Sequence, residues 1–324
     1  MAEKFKVFVT RKIPDSGLKL LKSAGFQVKV SSVDRVLKRD ELLKSVRGVY
    51  AILSLLTDKM DAEVMDAAGP QLKVIANYAV GFDNIVVDEA NKRNITITNT
   101  PGVLTEAVAE HAFALMMAIA RRIPESDLFM RKGKYKGWEP ELLLGSELHH
   151  KSLGILGLGR IGSAVASRAF HGFKMKILYY DVKRNEDFER QFQAEYRGLP
   201  GLLHDADFIS IHVPLLPETR HLIGKKEFSL MKKTAYLINT SRGPIVDEAA
   251  LAKALKAKKI MGAALDVFEN EPKMDAGLKK LSNIVVTPHT ASATNETRSA
   301  MSELAAKNII EVLNGRAPLT QVRK

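Results

Sequence analysis

Along the first hundred residues, short apolar runs alternate with segments whose apolar positions return every three or four residues. FKVFVT (Phe5 to Thr10) reads as a strand, and the pattern through Leu18, Leu21 and Ala24 reads as an amphipathic helix. In FQVKV (Phe26 to Val30) the apolar residues recur at every second position, the period of a strand. Strand signals return at VYAILS (Val49 to Ser54), KVIAN (Lys73 to Asn77) and ITITN (Ile95 to Asn99), with a helical stretch from Asp61 to Ala68. Strands separated by helices predict a parallel sheet covered on both faces.

A longer helix is predicted over Thr105 to Arg122. Val108, Ala112, Leu115, Met116 and Ile119 keep helical spacing, Glu106 and Glu110 lie near its start, and Arg121 and Arg122 end it with Pro124 just beyond. Residues 131–150, with Gly133, Gly137, Pro140 and Gly145, read as loop. From Ser152 a second alternating series begins, with strands at SLGIL, KILYYD (Lys176 to Asp181), FISIHV (Phe208 to Val213), AYLINT (Ala235 to Thr240), MGAALDV (Met261 to Val267) and NIVVTP (Asn283 to Pro288). A last helix is predicted from about Glu296 to Leu313, stopped by Gly315. The pattern is thus two doubly wound units.

Composition narrows the chemistry. A chain of 324 residues, 46% hydrophobic, has apolar material for two cores. It contains no cysteine, which excludes disulfides, thiolate nucleophiles and thiolate metal sites; no metal centre is expected. No run approaches the roughly 18 apolar residues of a membrane span, and Met1 to Thr10 lacks an apolar leader core, so a cytoplasmic protein without a membrane partner is expected. The formal net charge of +12 raises the question of nucleic acid, but the basic residues are scattered and pairs such as Lys232 and Lys233 read as solvated faces, so no nucleic-acid partner is expected. A positive field also attracts anionic substrates.

Only the second unit carries a glycine fingerprint. Gly157, Gly159 and Gly162 hold the G-x-G-x-x-G spacing after the strand SLGIL and before a helix beginning near Ser163, and Asp181 ends the next strand about 20 positions on. That context distinguishes a dinucleotide-binding turn from an ordinary glycine turn. The glycines allow close backbone approach to a pyrophosphate, the helix N-terminus offers free N–H groups, and Asp181 can accept from ribose hydroxyls.

Ligands of open α/β sheets sit outside the carboxyl ends of the strands, and three of these ends carry groups suited to one reaction. NTSRGPIVDE places Arg242 after one strand, DVFENEP places Asp266 and Glu271 after the next, and TPHTAS places His289 after the last. Reduction of a 2-keto acid needs a planar cation to hold the carboxylate by two parallel hydrogen bonds and a proton donor beside the carbonyl. Histidine titrates near working pH, and a carboxylate such as Glu271 favours its charged form. His212, in FISIHVP, competes for the acid role; His149 and His150 lie in a loop, and a core or packing role is expected for His111.

In combination GILGLGRIG with its Asp, NTSRGPIVDE, ALDVFENEP and VTPHTASAT resemble the D-isomer-specific 2-hydroxyacid dehydrogenase family over essentially the whole chain. NYAVGFDNI (Asn77 to Ile85), TNTPGVLTEAVAEHAFAL (Thr98 to Leu115) and GWEPELLLG (Gly137 to Gly145) look most like its glyoxylate/hydroxypyruvate reductases, also called glycerate dehydrogenases. The resemblance implies that Arg242 binds substrate, Glu271 partners the acid and His289 is the acid/base. It implies that the Val80 and Gly81 backbone amides hold the carboxylate, that Asp266 holds the nicotinamide carboxamide, and that Arg160 and Ile161 contact the pyrophosphate. His212 falls on a cofactor-side strand in that comparison.

The implied architecture is α/β, a Rossmann NAD-binding domain (99–289) inserted in a flavodoxin-like substrate domain (1–98 and 290–324), and the implied assembly is a homodimer built by the helix near Val108 and the loop after it. Two departures stand out: Thr290-Ala291 follows the histidine where Ile-Gly is common, and Asp181-Val182 stands where several glyoxylate reductases carry Ser-Arg, which weighs against NADPH. The expected protein transfers hydride from NADH, with NADPH as the lesser coenzyme, to glyoxylate or hydroxypyruvate. The alternatives are a phosphoglycerate or D-lactate type dehydrogenase and, from another class, an NAD-sensing corepressor.

Overall fold

The computed structural model describes residues 5–322. Its chain divides into two compact units, one formed by the described residues up to Leu104 together with those from Ala293 onward, the other by Thr105–Ser292. The boundaries expected at 98 and 289 lie a few residues short of these, for a local reason in each case. Asn99 and Thr100 remain hydrogen-bonded to Thr320 and Ala79 of the first unit, and the N–H groups of Thr290 and Ala291 donate to the Asp266 carboxylate of the second.

The first unit begins with β1 (Lys6–Val9), α1 (Asp15–Ser23), β2 (Gln27–Val30), α2 (Arg39–Ser45), β3 (Ala51–Ser54), α3 (Ala62–Ala68), β4 (Val74–Asn77), α4 (Val87–Lys92) and β5 (Thr96–Thr98). The strands pair in parallel in the order β2-β1-β3-β4-β5. β3 and β4 are buried along their whole length, whereas β2, at the edge, is half-exposed and shows the two-residue alternation.

The second unit opens with α5 (Thr105–Ala120) and α6 (Ile123–Arg131). The predicted helix breaks at Arg122, whose left-handed backbone (φ 53°) ends one helix and caps the next. Pro124 lies beyond α5, as expected, and also in the first turn of α6, where its missing N–H costs nothing. There follow β6 (Ser152–Leu156), α7 (Arg160–Phe173), β7 (Lys176–Tyr180), α8 (Glu186–Phe192), β8 (Glu195–Tyr196), α9 (Leu199–Asp205), β9 (Phe208–Ile211), α10 (Lys225–Leu230), β10 (Tyr236–Asn239), α11 (Glu248–Lys256), β11 (Gly262–Leu265) and β12 (Ile284–Val286).

All seven strands run parallel in the order β12-β11-β10-β9-β6-β7-β8. The order reverses between β6 and β9, which places a ligand crevice outside their carboxyl ends. α12 (Asn295–Leu313) then returns to the first unit, where Ser302 accepts from the Gly17 N–H and donates to the Pro14 carbonyl. Both sheets match the α/β, doubly wound expectation. No helix among the described residues is long and apolar enough to cross a membrane.

Candidate active site and cofactor cradle

The glycine turn is built by close approach. α7 begins at Arg160, three residues before the expected start, because Gly159 is already its N-cap. Gly157 has φ +93°, and a Cβ there would lie 2.8 Å from the Val213 nitrogen; a Cβ on Gly162 would collide with the Gly157 carbonyl. Any other residue at either position would push the turn away from the sheet. An added Cβ on Gly159, by contrast, meets nothing within 4 Å, so this glycine faces open space.

The first turn of α7 has neither a side-chain cap nor an acidic residue, which leaves the N–H groups near Arg160 and Ile161 to an anion. At the end of β10, the Thr240 hydroxyl is buried with no hydrogen-bond partner. These features fit a dinucleotide: an open cradle at a helix N-terminus and an unsatisfied polar atom on the same strand-end edge. Asp181 follows β7, and its Oδ2 accepts from the Leu158 N–H at 2.7 Å, tying the carboxylate to the turn. Of the two neighbouring cations, Arg184 is engaged by Glu189 through bonds of 2.7 and 2.9 Å, while Lys183 is exposed.

Three adjacent strands of the same sheet, β10, β11 and β12, carry Arg242, Glu271 and His289 just beyond their carboxyl ends. Arg242 follows β10 in a turn set by Asn239, whose amide donates to the Arg242 carbonyl (2.9 Å) and accepts from the Ser241 N–H (3.0 Å). Glu271 lies in the loop after β11, and its Oε2 is 3.0 Å from His289 Nδ1. Its other oxygen accepts from the Phe268 N–H at 3.0 Å. Burial pushes the Glu271 carboxyl up, but the His289 hydrogen bond and the nearby charges of His289 and Arg242 outweigh it and hold it below its ordinary value.

His289 adopts a left-handed backbone (φ 54°), uncommon outside glycine. The turn is held by Asp266. Its carbonyl accepts from the His289 N–H, and its fully buried carboxylate accepts from Thr290 N, Ala291 N and the Thr287 hydroxyl at 2.8, 2.8 and 2.6 Å. Burial raises the Asp266 carboxyl, yet these bonds and one from His111 bring it below its usual range. His111 is thus not a simple packing residue: its Nε2 lies 3.1 Å from the Thr287 hydroxyl and 3.4 Å from Asp266.

With Nδ1 on Glu271, His289 Nε2 has no partner among the described residues, and a quarter of the side chain is exposed. It can therefore hand a proton outward. His212 cannot: its Nε2 is bonded to the Ser210 hydroxyl at 2.8 Å, and burial pushes the imidazole well below its ordinary range, so it is neutral at working pH. The two histidines thus differ in their surroundings rather than in their position along a strand.

In the first unit, Val80 and Gly81 follow β4. The Asn99 amide donates to the Val80 carbonyl at 2.8 Å and the Asn77 amide to the Gly81 carbonyl at 2.9 Å. Neither Val80 N–H nor Gly81 N–H donates a hydrogen bond among the described residues. Asn77 and Asn99 were not singled out in the sequence, where asparagines after strands look like ordinary turn residues. Among the described residues no group of three or more His, Asp or Glu is placed to hold a metal.

The sequence profile of the D-isomer specific 2-hydroxyacid dehydrogenase NAD binding domain matches residues 113–291. A glyoxylate reductase of Thermococcus litoralis is 51% identical over 323 residues, covering 98% of this chain and 97% of that protein. A protein of Thermus thermophilus superposes with a TM-score of 0.93 at 42% identity, covering 98% of this chain and all of the other. The NADPH-dependent glyoxylate/hydroxypyruvate reductase of Sinorhizobium meliloti, solved with NADP and malonate, gives 0.86 at 33% identity over 99% of this chain and 97% of its own. With the glycine turn, the strand-end arginine and the paired histidine all inside the matched span, this chain belongs to the D-isomer specific 2-hydroxyacid dehydrogenase family.

Proposed function

We propose that the protein reduces glyoxylate or hydroxypyruvate to the corresponding 2-hydroxy acid with NADH. The observation that carries the chemistry is the His289–Glu271 pair at 3.0 Å, beside Arg242 on the neighbouring strand end. The name shared by the close relatives supports the substrate class. Bound NADH supplies the hydride. Arg242 grips the substrate carboxylate by two parallel bonds, and His289 Nε2 gives its proton to the carbonyl oxygen as that oxygen becomes a hydroxyl. Glu271 keeps the imidazole oriented and favours its charged form.

The free N–H groups of Val80 and Gly81 are assigned to a carboxylate. The Gly81 N–H shares its peptide with the Val80 carbonyl, held by Asn99, and the Val80 N–H shares its peptide with the Ala79 carbonyl, held by the Thr100 N–H, which fixes the direction in which both peptides point. Gly157, Gly159, Arg160, Ile161 and Gly162 are assigned to the pyrophosphate and Asp181 to the adenosine ribose. Asp266 Oδ2 accepts a single hydrogen bond, and it is the atom left for the nicotinamide carboxamide.

Turnover of glyoxylate, hydroxypyruvate, pyruvate and 3-phosphohydroxypyruvate, each with NADH and NADPH, tests this reading. Highest kcat/KM is expected for glyoxylate or hydroxypyruvate with NADH; a best rate on 3-phosphohydroxypyruvate would move the protein to the phosphoglycerate type. Asp181 accepts from a ribose 2′-hydroxyl but repels a 2′-phosphate, and because Arg184 is occupied by Glu189, less cationic charge is free to offset that repulsion. Asp181→Ser should shift the coenzyme ratio toward NADPH, about tenfold for each 1.4 kcal/mol of repulsion removed. A wild type that already prefers NADPH would take that role from Asp181.

The homodimer is part of the same proposal. α6 buries none of its residues, and Ile123, Leu128, Met130, Tyr135, Trp138 and Leu144 are all exposed, Trp138 to 81%. Such an apolar run on one segment marks an association surface, and in an enzyme of this family a second copy is the occupant it suits. Light scattering should give a dimer for the wild type and a monomer for Leu128→Glu combined with Met130→Glu. A wild type that is monomeric at micromolar concentration would refute this. A reductase that consumes NADH works where the cell keeps that coenzyme, and the cytoplasm is the compartment we assign to it.

A further inference from the structure

The loop that carries Glu271 is held by a residue that no part of the chemistry uses. Glu248, the first residue of α11, is a carboxylate with only 4% of its surface exposed. Among the described residues, neither of its oxygens binds a cation. One accepts from the Glu269 N–H, and the other from the Asp275 N–H at 2.9 Å. The two contacts bracket Glu271 in sequence, one two residues before it and one four residues after.

A buried carboxylate facing only backbone groups, with the side chains of Glu269 and Asp275 as like-charged neighbours, is costly to keep. Such a group persists where it satisfies donors that would otherwise be orphaned in a segment lacking regular structure. Residues 267–277 contain no helix and no strand, so their N–H groups have few local partners.

A second contact joins the same loop to the arginine turn. An added Cβ on Gly243 would overlap the Phe268 carbonyl group, which means that the backbone immediately after Arg242 lies directly against the backbone leading into Glu271. Phe268 N in turn donates to Glu271 Oε1. The chain from Arg242 to Glu248 therefore touches the Glu271 loop at both of its ends, by packing at Gly243 and by hydrogen bonds at Glu248. No such support is needed for His289 itself, whose turn is clipped separately by Asp266.

We infer that Glu248 is a positioning residue for the acid pair: its buried carboxylate fixes the 269–275 loop so that Glu271 meets His289. It touches neither substrate nor coenzyme and acts through Glu271. The inference rests on the reading of His289 as the proton donor. A displaced Glu271 would leave the imidazole free to rotate away from the carbonyl, and misplacement of about 1 Å at a reacting group can cost about a hundredfold in rate.

The test is Glu248→Gln, which keeps the shape and one acceptor oxygen but turns a donor, the amide NH2 group, toward the second N–H, with Glu248→Asp as the milder variant should Gln fail to fold. We expect kcat for glyoxylate or hydroxypyruvate to fall about 10- to 100-fold, with KM for the keto acid and the dissociation constant of NADH by fluorescence titration within about twofold of wild type. In a double-mutant cycle, adding Glu248→Gln to Glu271→Gln should cost almost nothing further, since the residue to be positioned is already disabled. A folded variant with wild-type kcat, a loss of NADH binding equal to the loss in kcat, or full additivity with Glu271→Gln would each overturn the inference. If His289→Ala retains turnover, it is the acid assignment that fails; if His289→Ala is inactive and Glu248→Gln is not, only Glu248 loses its role.

Discussion

His289→Ala should lower kcat for keto-acid reduction by roughly 10²–10⁴-fold, the usual worth of a positioned general acid, while NADH affinity barely moves. The glycine turn proposed for the coenzyme lies before α7, whereas the histidine follows β12, the edge of the seven-stranded order farther from β7 and Asp181. Losing the imidazole removes the proton donor and leaves Glu271 without its partner, but the turn that bears it is held by backbone bonds to Asp266 that do not involve the side chain. The variant should therefore fold. Steady-state rates together with fluorescence titration of NADH separate the two quantities. Near-wild-type turnover in this variant, with His212→Ala inactive instead, would reverse the assignment; the neutral, Ser210-bonded state of His212 argues that this will not happen.

Arg242→Lys should fold and lose most of its kcat/KM, about 10- to 150-fold, corresponding to one charge-assisted hydrogen bond of about 1.5–3 kcal/mol. Lysine keeps the charge but is a point donor, whereas the guanidinium plane matches a carboxylate edge by two parallel bonds. The structure shows why the arginine is aimed so closely. Asn239 holds its carbonyl, its own Nη1 donates to the Ser241 carbonyl at 2.9 Å, and Gly243 brings the following backbone against Phe268. A lysine placed on that same rigid turn would have no means of restoring the lost bond by moving. Retained efficiency in the lysine variant would reduce Arg242 to a long-range attractor. Comparison of substrates with and without a carboxylate identifies the cause, since the penalty should vanish for an aldehyde lacking it.

The alternating pattern was enough to determine two parallel, doubly wound sheets, because strands buried on both faces must be apolar throughout and the helices between them must show one apolar stripe. The glycine spacing with Asp181, and Arg242, Glu271 and His289 at consecutive strand ends, was legible for a related reason: in a parallel sheet every strand delivers its carboxyl end to the same edge, so residues far apart in sequence become neighbours by topology alone. The helices α2, α4 and α6 were not legible, since they bury one residue, two and none, too few for an apolar period to show, whereas α1 and α3, of similar length, bury three each.

Other decisions belonged to the tertiary structure. Nothing in FISIHVP distinguishes His212 from His289; burial beside Ser210 does, and burial is a property of neighbours from other segments. His111 looked like one more member of an apolar helix face until Thr287, 176 residues away, was placed against it. Asn77 and Asn99 acquire a purpose only once the Val80 and Gly81 carbonyls are in reach. Glu248 reads as an ordinary acidic residue in the first turn of a helix, and only the folded loop reveals that its carboxylate serves the Glu269 and Asp275 backbone. The sequence alone settled which chemical groups the protein possesses and at which edge of a sheet they emerge. Their protonation and orientation depend on desolvation and on hydrogen bonds between distant segments, so the tertiary fold alone could decide them.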